Sequence, residues 1–132
     1  MDARGRRVLP PLYPAEKLSL GIPLYGNHWQ ARYDSESALG AQATSQSVGW
    51  FWGSGIAERH SADLRWDPLQ GVTWTYFAKG GTFEWLFLED VRAFRVKYEL
   101  MTQKKLRGFS AWVLGREDER IWEMLGERRA RQ

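Results

Sequence analysis

The stretch that decides the fold runs from residue 88 to residue 115 and reads LEDVRAFRVKYELMTQKKLRGFSAWVLG. Its first part has apolar residues at spacings of three and four, the period of an amphipathic helix, at Leu88, Val91, Phe94, Tyr98 and Met101. Its last part, Arg107 to Gly115, is apolar on both faces, which is typical of a buried parallel strand. The stretch therefore predicts a helix over Leu88–Leu106 followed by a strand.

A strand and a second helix extend this unit on either side. Residues 17–26, KLSLGIPLYG, alternate in hydrophobicity and end at a glycine, although Pro23 favours an edge position. A last helix is predicted from Glu117 to Arg129, with acidic residues at its start and basic residues at its end. A long helix between two apolar strands is a crossover connection, so the strands should pair in parallel. Two parallel strands leave edges and one face exposed, so this α/β part looks incomplete.

The residues between the two strands have a different character. Val72–Phe77 and Thr82–Phe87 alternate around the sequence AKGG and predict a β-hairpin. The small, polar stretch from Ser35 to Ser47 favours a short helix. From Gly49 to Gly55 aromatic residues stand among glycines, which predicts turns that place large rings at a surface.

Composition excludes several classes of protein. The 132 residues include eight tryptophans and no cysteine, which excludes disulfide frameworks, cysteine zinc sites and thiol nucleophiles. No apolar run approaches the ~18 residues of a membrane span. The first residues, MDARGRRVLPPLYP, have no apolar segment behind their basic residues, so no secretory signal is expected.

The positive charge lies at the two ends. Residues 1–7 and 126–132 each carry a net charge of +2, and removing both from the total of +3 leaves −1 for the rest of the chain. Binding to nucleic acid needs positive charge clustered along a face. The charge distribution therefore argues against a nucleic-acid partner, as the hydropathy argues against a membrane.

Four blocks in this order resemble the family 18 glycoside hydrolases, the chitinase-like TIM barrels: Leu20–Gly26, Arg65–Pro68, Phe87–Asp90 and Arg107–Gly115. The resemblance covers about residues 8–127. It is strongest to the bacterial branch that acts on chitin-type or peptidoglycan N-acetylglucosamine linkages, which includes spore-cortex lytic enzymes. It implies an α/β fold, a partial barrel made of the last two strand–helix units and carrying an α+β insertion with the hairpin.

The resemblance also implies a division of the chain. Residues 1–16 would be a lead-in, 17–26 the seventh barrel strand, 27–87 an insertion that walls one side of a sugar cleft, 88–129 the helix–strand–helix end of the barrel, and 130–132 a tail. A full barrel needs eight strands and about 250 residues. The family's catalytic signature, Asp-x-x-Asp-x-Asp-x-Glu on the fourth strand, is absent from these 132 residues. Chemistry in this family is assisted by the substrate's acetamido group while that Glu protonates the leaving oxygen, so this chain alone should not hydrolyse glycosides.

Six residues are candidates for sugar contact. By resemblance, Trp112 is the tryptophan that floors the cleft, where its ring would stack on a pyranose; the alternative is a core tryptophan. Tyr25 and Asn27 lie at the end of the seventh strand, at the catalytic end of such a barrel. Many chitinases carry Arg at the position of Asn27, and the alternative for Tyr25 is a packing role. Three further tryptophans would form stacking platforms or, alternatively, fill the small core of the insertion: Trp29, Trp50 and Trp52.

Other residues favour structural roles. Trp66, Trp74 and Trp85 fall in or beside the hairpin and are predicted to be core. His28 and His60 have no carboxylate at a metal-like spacing, so neither a metal nor any cofactor is expected. Glu89 and Asp90 match a family block, but capping of the helix explains acidic residues at that position.

Three functions follow from these observations. The first is the C-terminal part of a family 18-like glycosidase, which forms part of a cleft for N-acetylglucosamine polymers together with a missing barrel half. The second is a non-catalytic module that binds carbohydrate. The third is an interaction module that self-associates to cover its exposed strands.

Overall fold

The computed structural model describes residues 13–32 and 42–129, which form two sheets and three α-helices. The elements follow in this order: a 3-10 turn at Ala15–Lys17, β1 Ser19–Pro23, β2 Gly26–Arg32, β3 Ala43–Val48, α1 Trp50–Arg59, β4 Arg65–Asp67, β5 Val72–Lys79, β6 Thr82–Leu88, α2 Val91–Gln103, β7 Gly108–Trp112 and α3 Arg120–Arg129. The predicted α/β fold, with an insertion between two parallel strands, is confirmed.

The first strand and the last strand pair with each other in parallel. Ser19 lies opposite Gly108, and Pro23 lies opposite Trp112. β1 is shorter than the predicted strand over residues 17–26, because the chain turns at Leu24 and Tyr25 and Gly26 already begins β2. The 60-odd residues of the antiparallel lobe, which we define as β2 to β6 with α1, are thus inserted between β1 and the helix that leads to β7.

One face of the parallel pair is covered by α2 and α3. Their contact forms a core of buried side chains: Ile22, Leu24, Phe94, Ile121 and Met124. Because successive strand residues point to opposite faces, the remaining strand positions face away from the helices: Ser19, Gly21, Pro23, Gly108, Ser110 and Trp112. This second set, named the open face below, consists of small side chains apart from Trp112, and no described helix or strand covers it.

Helix α2 is shorter at both ends than predicted. Leu88 is the last residue of β6, and the helix begins after Asp90, whose carboxylate accepts the Ala93 N–H at 2.8 Å. At the other end the chain leaves the helix through Lys105, which has a φ of 52°. The next strand, β7, begins at Gly108, within the stretch Arg107–Gly115 that was predicted as a strand. Asp90 therefore sets the start of α2 by capping it.

The antiparallel lobe is a five-stranded sheet with the strand order β3-β2-β6-β5-β4. The predicted hairpin is confirmed, with Lys79 paired to Thr82 across a two-residue turn. Gly80 and Gly81 both have positive φ values, 52° and 80°, which such a turn requires and which glycine adopts without strain.

Two predictions for the lobe are wrong. Within Ser35–Ser47, predicted as a short helix, residues from Ala43 onward form β3, and residues 33–41 lie outside the described residues. The glycine-rich aromatic stretch predicted to form turns is instead the first half of α1. The reason is packing: a Cβ at Gly53 would lie 2.4 Å from Leu88 Cδ2, so the glycine lets the helix sit close on the sheet. This contact contributes to a second core: Val48, Ala57, Phe77, Leu86 and Leu88.

The last helix begins later than predicted. Glu117, Asp118 and Glu119 form the turn before α3, which runs from Arg120 to Arg129. Ile121 and Met124 are buried against the parallel pair, whereas Trp122 is 44% exposed.

Candidate functional site

The carboxyl ends of the two parallel strands meet at one edge of the molecule. Pro23 and Trp112 are register partners, and the Leu24 N–H donates to the Trp112 carbonyl at 2.6 Å. Ligand-binding side chains of parallel α/β sheets gather at this end, because the loops that leave the strands meet there. Tyr25, which is half-buried, and Trp112 both lie at this edge.

Trp112 is held on the open face by the alternation of β7. Phe109 and Ala111 pack against the core with the helices, so Ser110 and Trp112 point the other way. The Trp112 side chain is 71% exposed, and its peptide bond to Val113 is cis. The alternative of a core tryptophan between strand and helix is therefore wrong. Its indole face is available for stacking.

Gly26 and Asn27 carry the chain from the parallel pair into the lobe. A Cβ at Gly26 would lie 1.9 Å from the Phe87 carbonyl oxygen, so only glycine fits where β2 crosses β6. Asn27 pairs with Ser47 on one side and with Phe87 on the other. Its half-buried side chain therefore lies on the face of the lobe opposite α1.

Trp29 belongs to an aromatic surface on that same face. Cross-strand neighbours share a face, and Trp29 lies opposite Trp85, which lies opposite Tyr76. We name this surface the aromatic face; its members are Trp29, Trp74, Tyr76, Trp85 and Phe87. The Arg65 guanidinium covers one end, 5.4 Å from the Trp74 ring centroid and 4.9 Å from that of Tyr76. Trp29 is 38% exposed there.

Trp50 and Trp52 lie on the first turn of α1 but in different surroundings. The Trp50 N–H donates to the Arg116 carbonyl at 2.9 Å, and its half-buried ring lies under the Arg120 guanidinium at 5.2 Å. Trp50 thus joins the lobe to the segment after β7. Trp52 is 66% exposed and lines a cavity of about 580 Å³ between α1 and that segment.

Trp66, Trp74 and Trp85, predicted to be core, are half-buried and belong to neither buried cluster. The prediction is wrong because the hairpin has one covered face, and the positions toward α1 are taken by other residues: Thr73, Thr75, Phe77, Leu86 and Leu88. Trp74 and Trp85 alternate to the aromatic face. Trp66 packs under the Arg92 guanidinium, 4.0 Å from its ring centroid.

Sequence reasoning missed a buried hydrogen-bonded pair inside the lobe, His28 and Glu84. His28 Nε2 lies 2.6 Å from Glu84 Oε2, and both residues are more than nine-tenths buried. Burial by itself raises the pKa of Glu84, but hydrogen bonds from His28, Thr82 and Gln30 outweigh it and hold the pKa below its ordinary value. The two residues are 56 positions apart, so only the register of the sheet brings them together.

A second buried carboxylate orders the segment after β7. Asp118 is 2% exposed; it accepts the Val91 N–H at 2.9 Å and hydrogen bonds from the Arg120 guanidinium at 2.6 to 3.1 Å. Burial raises the pKa of Asp118, but these bonds outweigh it and hold the pKa below its ordinary value. Asp118 thereby ties the start of α2 to the start of α3.

Glu89 and Asp90 differ in role, although the sequence assigned both to capping. Asp90 caps α2 and also accepts the Thr73 hydroxyl at 2.7 Å. Glu89 is 9% exposed and forms an ion pair with Lys97 at 2.9 Å. Burial raises the pKa of Glu89, and Lys97 offsets this only in part. Lys97 also donates to the Gly71 carbonyl, so this cluster fastens the hairpin to α2.

The described residues were searched for clusters of metal ligands and for helices that could span a membrane. No group of three or more His, Asp or Glu residues in ranges 13–32 and 42–129 is arranged to hold a metal ion. None of the helices described is long and apolar enough to cross a membrane.

Comparison with known proteins places the chain in a family. The profile described as "Glycosyl hydrolases family 18" matches residues 5–117. A cortical fragment-lytic enzyme of Bacillus anthracis is 27% identical over 115 residues, which are 86% of this chain and 26% of that protein. The chain thus spans about a quarter of the length of this relative.

Solved structures give the same answer for the fold. The spore cortex-lytic enzyme SleL of Bacillus megaterium QM B1551 superposes with a TM-score of 0.73 at 21% identity, over 86% of this chain and 26% of SleL. A chitinase of Cycas revoluta in complex with (GlcNAc)3 superposes with a TM-score of 0.64 at 22% identity, over 87% of this chain and 34% of the chitinase. With its parallel pair, inserted lobe and matching sequence blocks, the chain belongs to glycosyl hydrolase family 18.

Proposed function

We propose that this chain forms the floor and one wall of a cleft for N-acetylglucosamine polymers, chitin or peptidoglycan, within a family 18 barrel. The observation that carries the proposal is the position of Trp112. Its indole is 71% exposed on the open face, at the carboxyl end of a parallel strand. A flat apolar ring at that end of a barrel strand suits stacking against a pyranose.

The antiparallel lobe would be the wall of this cleft. It leaves the parallel pair at Tyr25 and Gly26, at the same edge as Trp112, and is fastened there by the Trp50–Arg116 hydrogen bond. The similarity to a chitinase that binds (GlcNAc)3 and to two cortex-lytic enzymes supports a substrate of this class. Trp112 and Tyr25 then lie at the strand edge, Asn27 and Trp29 lie on the face of the lobe opposite α1, and Trp52 lines the cavity. Trp50 joins the lobe to the segment after β7.

The partner that the proposal requires is the remainder of a barrel. The two-stranded sheet exposes its open face and both outer strand edges within the described residues. The acid of the family signature is absent from the 132 residues, so the chain by itself lacks the group that protonates the leaving oxygen. We therefore propose binding without hydrolysis for this chain alone.

Titration with chitin oligomers tests the proposal. Calorimetry with tri-N-acetylchitotriose should show binding that Trp112→Ala abolishes and Trp112→Phe partly restores, because phenylalanine keeps a stacking face. Tyr13→Ala, which removes another exposed ring (64% exposed), is the matched control and should leave binding unchanged. Equal affinities of the native chain and Trp112→Ala would refute the role of Trp112.

The open face also favours a second function, a self-associating interaction module. Two copies pairing through the free edge of β1 or β7 would satisfy the hydrogen bonds of those edges, and two copies packed face to face would cover the open face. Sedimentation velocity distinguishes the two functions: a monomer across micromolar concentrations excludes self-association as the role of this face. A dimer that chitin oligomers do not dissociate would favour self-association over the cleft.

A further inference from the structure

Two sets of exposed rings lie on different units of the molecule. Trp112, which is 71% exposed, lies on β7 of the parallel pair. Phe51, which is 77% exposed, and Trp52, which is 66% exposed, lie on the first turn of α1 in the antiparallel lobe. A ligand that stacks on both sets has to span the joint between the two units. The geometry of this joint therefore decides whether both sets can be used at once.

The joint connects the start of α1 with the segment after β7. The Trp50 N–H donates to the Arg116 carbonyl at 2.9 Å, and Arg116 Nη1 donates to the Ser47 hydroxyl at 2.7 Å. A Cβ at Gly49 would lie 3.2 Å from the Arg116 carbonyl oxygen, so the two chain segments pack closely. Because Arg116 follows Trp112 by four residues, the lobe is fastened within a short length of chain from the open face.

Two carboxylates hold the segment that contains Arg116. Glu117 Oε2 accepts the N–H groups of Gly115 and Arg116 at 2.6 and 3.0 Å, and its Oε1 accepts the Trp122 indole N–H at 3.2 Å. Burial raises the pKa of Glu117, but these bonds outweigh it and hold the pKa below its ordinary value. The second carboxylate, Asp118, fixes the next residues by accepting the Val91 N–H of α2. The segment therefore offers the lobe a fixed point of attachment.

Arg120 reaches from this segment to the lobe. Its Nε and Nη2 donate to the Asp118 carboxylate at 2.6 to 3.1 Å, which fixes the plane of the guanidinium. The same guanidinium lies 5.2 Å from the Trp50 ring centroid, within the ~6 Å limit of a cation–π contact. Arg120 thus connects a carboxylate that is 2% exposed, beside α2 and α3, with a ring of the lobe.

The opposite edge of the lobe has its own attachment. β3 and β4 are the two edge strands of the five-stranded sheet, and Trp50 follows β3 by two residues. On the β4 side, the Arg92 guanidinium of α2 lies 4.0 Å from the Trp66 ring centroid, and Lys97 donates to the Gly71 carbonyl at 3.1 Å. Without Arg120 the lobe therefore stays attached to α2 and can turn about its β4 edge.

We propose that Arg120 is a positioning residue: through Trp50 it holds the lobe at a fixed orientation to the parallel pair and so sets the distance from Trp112 to the rings on α1. The cleft thereby favours oligomers that reach both sets of rings over single sugars, because surfaces that are already in place need not be ordered when the ligand binds. This inference rests on the proposed function, since it concerns the geometry of the same cleft.

Distances measured without sugar test the positioning directly. The chain has no cysteine, so Glu58→Cys on α1 and Glu127→Cys on α3, both at exposed residues, allow spin labels to be attached to the two units. Double electron–electron resonance should give one narrow distance distribution for the labelled chain. Adding Arg120→Gln or Trp50→Leu should make this distribution about twofold broader. Trp50→Phe should keep it narrow, because phenylalanine retains a ring face for the guanidinium.

Arg65→Gln is the matched control for the distances. The Arg65 guanidinium lies over Trp74 and Tyr76, so both sides of that contact belong to the lobe, and its loss should leave the distribution unchanged. The circular dichroism spectrum of each variant checks that it is folded. A distribution that is as narrow with Arg120→Gln as with Arg65→Gln overturns the positioning role.

Sugar titrations link the joint to the cleft. Tryptophan fluorescence of the unlabelled chain compares the binding of hexa-N-acetylchitohexaose with that of N-acetylglucosamine. Arg120→Gln should weaken hexamer binding about tenfold and leave the affinity for the monosaccharide unchanged, because a single sugar needs only one set of rings. A residue that only stabilises the fold would lower the unfolding midpoint and leave the ratio of the two affinities as it is.

The outcomes separate this inference from the proposed function. Unchanged hexamer affinity in Arg120→Gln overturns the preference for oligomers, even if the distances broaden. A native chain that binds neither sugar refutes the proposed function, whereas the distance distributions still decide whether Arg120 positions the lobe.

Discussion

Replacing Asp118 tests how the start of α2 is tied to the start of α3. We consider Asp118→Asn, which keeps the size of the side chain and removes its charge. The native carboxylate accepts the Val91 N–H at 2.9 Å and the Arg120 guanidinium at 2.6 to 3.1 Å. The amide retains one oxygen but turns an NH2 group toward a cation.

The expected loss of stability follows from these bonds. A hydrogen bond to a charged group contributes about 1.5–3 kcal/mol, but the Arg120 side chain is 54% exposed, so its share is reduced by solvent. We expect the free energy of unfolding to fall by about 2 kcal/mol. With a urea slope of about 2 kcal/mol/M for a small protein, the urea midpoint should fall by about 1 M.

Urea unfolding followed by tryptophan fluorescence measures this shift. Glu119→Gln makes the same change of charge at the exposed neighbouring residue and should move the midpoint little. A shift of Asp118→Asn no larger than that of Glu119→Gln at pH 7 would refute the assigned role of the buried carboxylate.

The pH dependence gives an independent check. Because the pKa of Asp118 is lowered in the folded chain, the unfolded chain takes up the proton first as the pH falls. The stabilisation is therefore complete above the ordinary pKa of about 3.9 and is lost as the pH falls from there through the folded pKa. The difference in urea midpoint between the native chain and Asp118→Asn should be constant from pH 7 to 5 and should become smaller below pH 4.

Three further substitutions test the packing. Gly26→Ala places a Cβ 1.9 Å from the Phe87 carbonyl oxygen and should lower the free energy of unfolding by about 3 kcal/mol. An unchanged urea midpoint would mean that β2 and β6 can move apart at this position without loss of stability. Phe94→Ala leaves a cavity in the core between the parallel pair and its two helices, and the free energy of unfolding should fall by about 3–5 kcal/mol in the same assay. A loss of less than half that amount would contradict the packing described for Phe94. Glu84→Gln leaves His28 buried without its carboxylate partner and should cost about 1–3 kcal/mol at pH 7. In a double-mutant cycle with His28→Gln, a loss in the double variant equal to the sum of the two single losses would refute the coupling of this pair.

The sequence predicted the parallel pair and the hairpin because both depend on local periodicity. The apolar residues of α2 recur at helical spacing, so a crossover between strands followed directly. Gly80 and Gly81 at the hairpin turn have the positive φ values that the sequence pattern implies. The resemblance of four blocks then gave the family, which the profile match confirms.

The errors come from residues whose conformation is set by distant contacts. Gly53 lowers helix propensity, yet α1 forms because that glycine allows close packing on Leu88. The polar residues of β3 show no strand periodicity and become a strand by pairing with β2. Trp74 and Trp85 were assigned to the core because sequence alternation cannot show which face of a sheet is covered.

The sequence by itself determined the parallel connection and the hairpin, because helical and strand periods and glycine turns depend on neighbouring residues, and its four blocks determined the family. Only the tertiary structure decided which partners the buried polar side chains have. His28 meets Glu84 through sheet register, and Asp118 reaches Val91 because α2 and α3 pack on the same strands. Which polar groups meet depends on three-dimensional proximity and not on spacing along the chain, so the sequence could not predict these contacts.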